Sequence, residues 1–134
     1  MQRFKIDTWE GVALIRASGP LTLDGMRQLR EEVLRTAMRS EVHRVLCDLL
    51  GAVVMLTREE WRIFALQTTS EHAVGVPTGL LVAGAAIEPA RDLCNQLNSM
   101  GRIALAFSAS PPAYRWLGVP MTRPSASREV AVRG

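Results

Sequence analysis

The chain has 134 residues, 48% of them hydrophobic and 22% charged, with a formal charge of +3 at neutral pH. That size and composition fit one globular domain, argue against a disordered chain, and allow a core without disulfide or metal staples. No apolar run reaches the ~20 residues that span a bilayer, and the start, MQRFKIDTWE, has no apolar stretch of the signal-peptide kind.

A cytoplasmic location is therefore expected. The positive charge gives little support to nucleic-acid binding. Arg123, Arg128 and Arg133 against Glu129 place +2 of it in residues 119–134. The remaining body is nearly neutral with mixed charges, which is no phosphate-binding stripe. Cys47 and Cys94 both sit in apolar surroundings and are expected as buried free thiols. Neither has a histidine at ligand spacing, so no metal site and no cofactor are expected.

In chain order, Arg3 to Thr8 alternates in part and reads as a strand. Trp9-Glu10-Gly11 is a turn, and Val12 to Ala17 is the returning strand of a hairpin. Gly19-Pro20 is expected to break it. Thr22 or Asp24 can cap the first helix, in which Met26, Leu29, Val33 and Ala37 recur at helical spacing and which should end near Ser40. Glu31 lies four residues from both Arg27 and Arg35 and is expected to pair with one of them. Arg44 to Leu50 is almost wholly apolar, as a strand covered on both faces should be. Thr57-Arg58-Glu59-Glu60 is a capping box that opens a second helix carrying Trp61, Phe64, Ala65 and Thr68 on one face.

Gly79 to Ala83 reads as the fourth strand. Glu88-Pro89 starts a third helix with Leu93, Cys94 and Leu97 toward the core and Gly101 as its stop. Ile103 to Phe107 is the fifth strand, and Ser110-Pro111-Pro112 starts a last helix carrying Ala113, Trp116 and Leu117. The expected fold is α/β: a mixed sheet of about five strands with about four helices, in one domain over residues 1–118. Residues 119–134 are rich in Pro, Ser, Thr and Arg and are expected to be a disordered C-terminal tail.

Three segments in this order resemble the STAS family, the sulfate transporter and anti-sigma-factor antagonist type. Gly19-Pro20-Leu21-Thr22 is similar to its G-x-l-t approach to the first helix. Val45-Leu46-Cys47-Asp48-Leu49 is similar to its v-i-l-D-l strand. Gly101-Arg102-Ile103-Ala104-Leu105 followed by Ala113-Tyr114-Arg115-Trp116-Leu117 resembles the ending of a branch of unsettled role. The likeness spans Phe4 to Leu117. It implies a STAS-like fold and a regulatory role through protein partners. One position departs from it. Switch members carry a phosphorylated serine two residues after the strand aspartate, where this chain has Leu50, so that role does not carry over.

Among candidate sites, Asp48 ends an apolar strand, where open α/β sheets bind ligands. A carboxylate that anchors the following loop is the favoured alternative. Thr57 is explained by its capping role and is a weak candidate for phosphorylation. His43 and His72 have no evident catalytic partner. Ala83-Gly84-Ala85-Ala86 lacks the P-loop pattern, so packing explains it better than anion binding. Gly51 to Leu56 is apolar yet lies in a connection, so it either folds into the core or opens an apolar patch to a partner. Val53, Val54, Met55 and Leu56, joined by Ile63 and neighbouring Leu66 on the next helix, form the best candidate interface. The function expected is a non-catalytic protein-interaction module whose partner is another protein or a second copy in a homodimer. The alternative is a domain that binds a small apolar molecule or lipid. A flat apolar patch favours the first and a continuous apolar cavity the second.

Overall fold

The computed structural model describes residues 2–39, 41–70, 76–119 and 127–132. The opening hairpin sets the frame. β1 (Gln2–Trp9) and β2 (Val12–Leu21) pair antiparallel from Trp9 opposite Val12 to Arg3 opposite Ser18. Gly11 closes the turn at φ +85°, and a Cβ there would lie 2.3 Å from the His43 ring. The left-handed backbone is what requires glycine at this point, since the exposed His43 ring can turn aside. The Gly11 carbonyl accepts the backbone N–H of His43 at 2.7 Å, tying the turn to the next strand.

From β2 the chain winds through parallel β-α-β units. α1 (Leu23–Ala37) leads to β3 (Arg44–Asp48), then β4 (Ala52–Val54) and α2 (Arg58–Ser70), then β5 (Thr78–Leu81). A 3₁₀ turn at Gly84–Ala86 precedes α3 (Ile87–Ser99), followed by β6 (Ala104–Phe107), α4 (Ser110–Leu117) and β7 (Ser127–Val132). The sheet order is β6-β5-β3-β2-β1-β7, with β4 paired to the end of β2. The period of two along the strands divides the core. Phe4, Ile6, Ala13, Ile15, Val45 and Cys47 face the cluster that includes Met26, Leu29, Phe64 and Leu93 of α1, α2 and α3. Val12, Leu14, Leu46 and Leu81 face Ala113, Tyr114 and Leu117 of α4. α4 lies so close that a Cβ on Gly79 would meet Trp116 at 2.9 Å and Leu46 at 3.0 Å.

The fold is the expected α/β sandwich of sheet and helices, with two strands beyond the five anticipated. The first is β4. β2 continues through Gly19-Pro20 to Leu21, beyond its last pair with β1 at Ser18, and β4 there takes over the parallel pairing that β3 ends at Arg16 opposite Asp48, Gly19 with Ala52 and Leu21 with Val54. Proline is tolerated where a strand has a neighbour on one side only. The second is β7. The structure corrects the disordered tail for residues 127–132, which pair antiparallel with β1 from Asp7 opposite Ser127 to Gln2 opposite Val132. Val130, Ala131 and Val132 supply strand-forming residues, and the otherwise open edge of β1 supplies the template. Residues 120–126 and 133–134 lie outside the described residues.

Thr22 caps α1 by accepting the Gly25 N–H at 3.3 Å. The pairing expected of Glu31 is replaced. Arg35 instead bonds Glu32, whose carboxylate is buried and needs a cation more than exposed Glu31 does. Arg27 donates to Gln67 of α2 at 3.1 Å.

Candidate interaction surface

α2 begins at a closed capping box. The Thr57 N–H donates to Glu60 Oε1 at 3.0 Å and the Glu60 N–H to Thr57 Oγ1 at 3.1 Å. Both groups of Thr57 are thereby engaged in starting the helix. The apolar segment before it is neither wholly buried nor wholly open, because it is a strand. Val54 and Leu56 turn inward and pack on the core. Val53 and Met55 turn outward and are 64% and 56% exposed. On α2, Trp61, Phe64 and Ala65 are buried. Of the two outward-facing residues expected on α2, Ile63 is half-buried and Leu66 is 70% exposed.

Beside this strand a groove runs between α2 and α3. Leu56, Trp61, Ala65 and Leu66 form its apolar stretch; Arg58 and Arg62 stand on the α2 side, Glu88 and Asp92 on the α3 side. Sequence reasoning missed this division. The signal was present as two arginines four apart on one helix and two carboxylates four apart on another, which share a face in each case. Only the fold shows that the two faces border one groove.

The strand-end carboxylate is held on both oxygens. The Leu50 N–H donates to Asp48 Oδ1 at 3.0 Å and the Tyr114 hydroxyl to Asp48 Oδ2 at 2.8 Å. The first bond anchors the loop, and the second pins α4 to the sheet. Burial, and then the bond to Asp48, push the Tyr114 phenol well above its usual range. Tyr114 is the chain's sole tyrosine, so phenolate absorbance reports it alone. An unfolded phenol ionises near pH ~10. Because the folded value is higher, the stability Tyr114 contributes is complete below that pH and is lost as pH rises through the folded value. Tyr114→Phe should cost about 1–2 kcal/mol at pH 7 and flatten the alkaline fall in stability. An unchanged alkaline limb in urea titrations would contradict this.

The comparisons with known proteins bear on the fold. The SpoIIAA anti-sigma factor antagonist, in its unphosphorylated form, superposes with a TM-score of 0.50 at 16% identity, over 87% of this chain and 99% of that one. The fold is STAS-like. A DUF3478-family protein from Shewanella loihica PV-4, described as having a SpoIIAA-like fold, gives a TM-score of 0.49 at 17% identity, over 87% of this chain and 93% of that one. No family model and no curated protein matches the sequence.

On this STAS-like frame Cys47 and Cys94 line one cleft. His43 is exposed, and His72 lies outside the described residues. Cys47 and Cys94 are free and buried. Burial pushes both thiols up, to about 12 and about 11, which leaves them protonated and poor nucleophiles. Ala83 to Ala86 forms the approach to α3, with Gly84 at φ +59°. Among the described residues no three His, Cys, Asp or Glu side chains are grouped to hold a metal, and no helix is long and apolar enough to cross a membrane. A cleft of about 190 Å³ lies under α2, lined mostly by apolar side chains of α1, α3 and the sheet.

Proposed function

We propose that this chain is a non-catalytic interaction module of STAS type that acts through β4 and the α2–α3 groove, and that the groove receives a second copy of the chain. The observation that carries this is the division of charge across the groove, Arg58 and Arg62 facing Glu88 and Asp92 with apolar side chains between. Such a surface is complementary to itself. Under a two-fold axis the basic side of one copy meets the acidic side of the other, and the same residues are buried twice. The ridge of α2, led by Leu66, can lie in the partner's groove as helices pack ridge into groove. Val53 and Met55 extend the apolar area next to it, leaving less of it in water at ~25 cal/mol per Å².

SpoIIAA, a structural neighbour, is an anti-sigma factor antagonist, here in its unphosphorylated form. A regulatory role through protein contact is consistent with that likeness. The serine switch is not, since Leu50 occupies the family's serine position.

Charge exchange tests the arrangement. Arg62→Glu should weaken association by setting like charges against each other, and so should Asp92→Arg. The double variant should regain it. Analytical ultracentrifugation of the three variants reads this directly. Association unaffected by either single change would sink the proposed interface.

A further inference from the structure

The cleft under α2 is distinct from that interface. α2 turns Phe64 and Thr68 toward the cleft and Arg62 and Leu66 toward the groove. One wall of the cleft is the inner face of α1, from Met26 to Ala37. Twelve residues of helix, with eleven steps of 1.5 Å between them, make that wall roughly 16 Å long. A volume of about 190 Å³ drawn out over such a length is a narrow slot. Its deep part is dry, because Met26, Leu29, Phe64, Leu93 and Cys94 are all buried. Its outer end is marked by exposed Ile103 and by a polar corner at the end of α2. There Arg30 donates to Thr68 Oγ1 at 3.1 Å and Arg102 to the Thr68 carbonyl at 3.1 Å.

An apolar cavity of roughly 150 Å³ accepts one benzene, so this slot has room for roughly eight carbon atoms. Length and narrowness favour an unbranched chain over a ring. The apolar interior asks for hydrocarbon, and the polar corner gives a head group a place at the water. We propose that this cleft binds the unbranched alkyl chain of a small amphiphile, inserted between α1 and α3 with its head at the Thr68 corner. The wall itself is inert toward such an occupant: the two thiols are pushed up by burial and stay neutral.

Cys47 and Cys94 are the chain's two cysteines and both line the cleft, so they serve as reporters. Alkylation of a buried thiol requires local opening, and a ligand that binds the closed state lowers the open population. The full chain is treated with N-ethylmaleimide in the presence of octan-1-ol, octanoate or cyclooctanol, and modification of each cysteine is followed by mass spectrometry. Octan-1-ol, octanoate or both should slow alkylation several-fold, and cyclooctanol should not. Protection by the alcohol alone assigns a neutral head and by octanoate alone an anionic one; either supports the alkyl site. Val33→Phe, which narrows the slot, should abolish protection in a protein still folded by circular dichroism. If that variant does not fold, Cys94→Leu with Cys47 as reporter replaces it. No protection by either linear probe overturns the proposal. So does equal protection by cyclooctanol, or protection that persists in the filled variant.

Discussion

Replacing Arg16 with methionine is expected to destabilise the fold by about 3–5 kcal/mol. Arg16 on β2 pairs with Asp7 on the neighbouring β1, and Asp7 is 0% exposed. The other carboxylate oxygen of Asp7 has no partner among the described residues. Among the described residues, Arg16 therefore supplies the charge compensation of Asp7. Without it a carboxylate remains in a site closed to water, and the desolvation cost is no longer offset. For a domain whose whole stability is about 5–15 kcal/mol, that loss is large. Urea unfolding followed by circular dichroism measures it. Asp7→Asn combined with Arg16→Met should recover part of the loss, because the stranded charge is gone. A single Arg16→Met variant within about 1 kcal/mol of the wild type would contradict the assigned role, since that is the range of an exposed pair.

Phe64→Ala is expected to cost a similar amount, about 3–5 kcal/mol, but in a different place. Phe64 is buried on the inner face of α2, edge-on to Trp61 at 6.4 Å, with the Arg30 guanidinium 5.4 Å above its ring. α2 packs chiefly on α1 and α3 and reaches the strands through few side chains. Truncating its main anchor should loosen α2 ahead of the sheet. Amide hydrogen exchange should accelerate across residues 58–70 while β2 and β3 stay protected. Uniform acceleration throughout the domain would show that α2 and the sheet unfold as one unit.

The helices were legible in the sequence because local chemistry specifies them. Thr57 and Glu60 three residues apart fix a helix start whatever surrounds them, and the prolines at 111 and 112 with Gly118 bound α4 at both ends. The apolar run Val45 to Cys47 marked a strand covered on both faces. β4 and β7 were not legible, since each is a strand only by virtue of its neighbour. Ala52 to Val54 needs the end of β2 that runs on past β3, and Ser127 to Val132 needs the open edge of β1. The same distance in sequence hid the second partner of Asp48. Its loop-anchoring bond to Leu50 follows from local geometry, but Tyr114 is 66 residues away. Ile63 and Leu66 shared an outward stripe by periodicity, and only the packing of α2 on its neighbours buries one further than the other. The cleft had no sequence signature at all, because its lining looks like any core.

Sedimentation velocity of the wild-type chain across the micromolar range tests the proposed interface most directly. A reversible dimer is the expected result, with Leu66→Glu shifted to a folded monomer because a charge would then lie in the apolar centre of the contact. A wild-type chain that remains monomeric at every concentration, indistinguishable from Leu66→Glu, would contradict it.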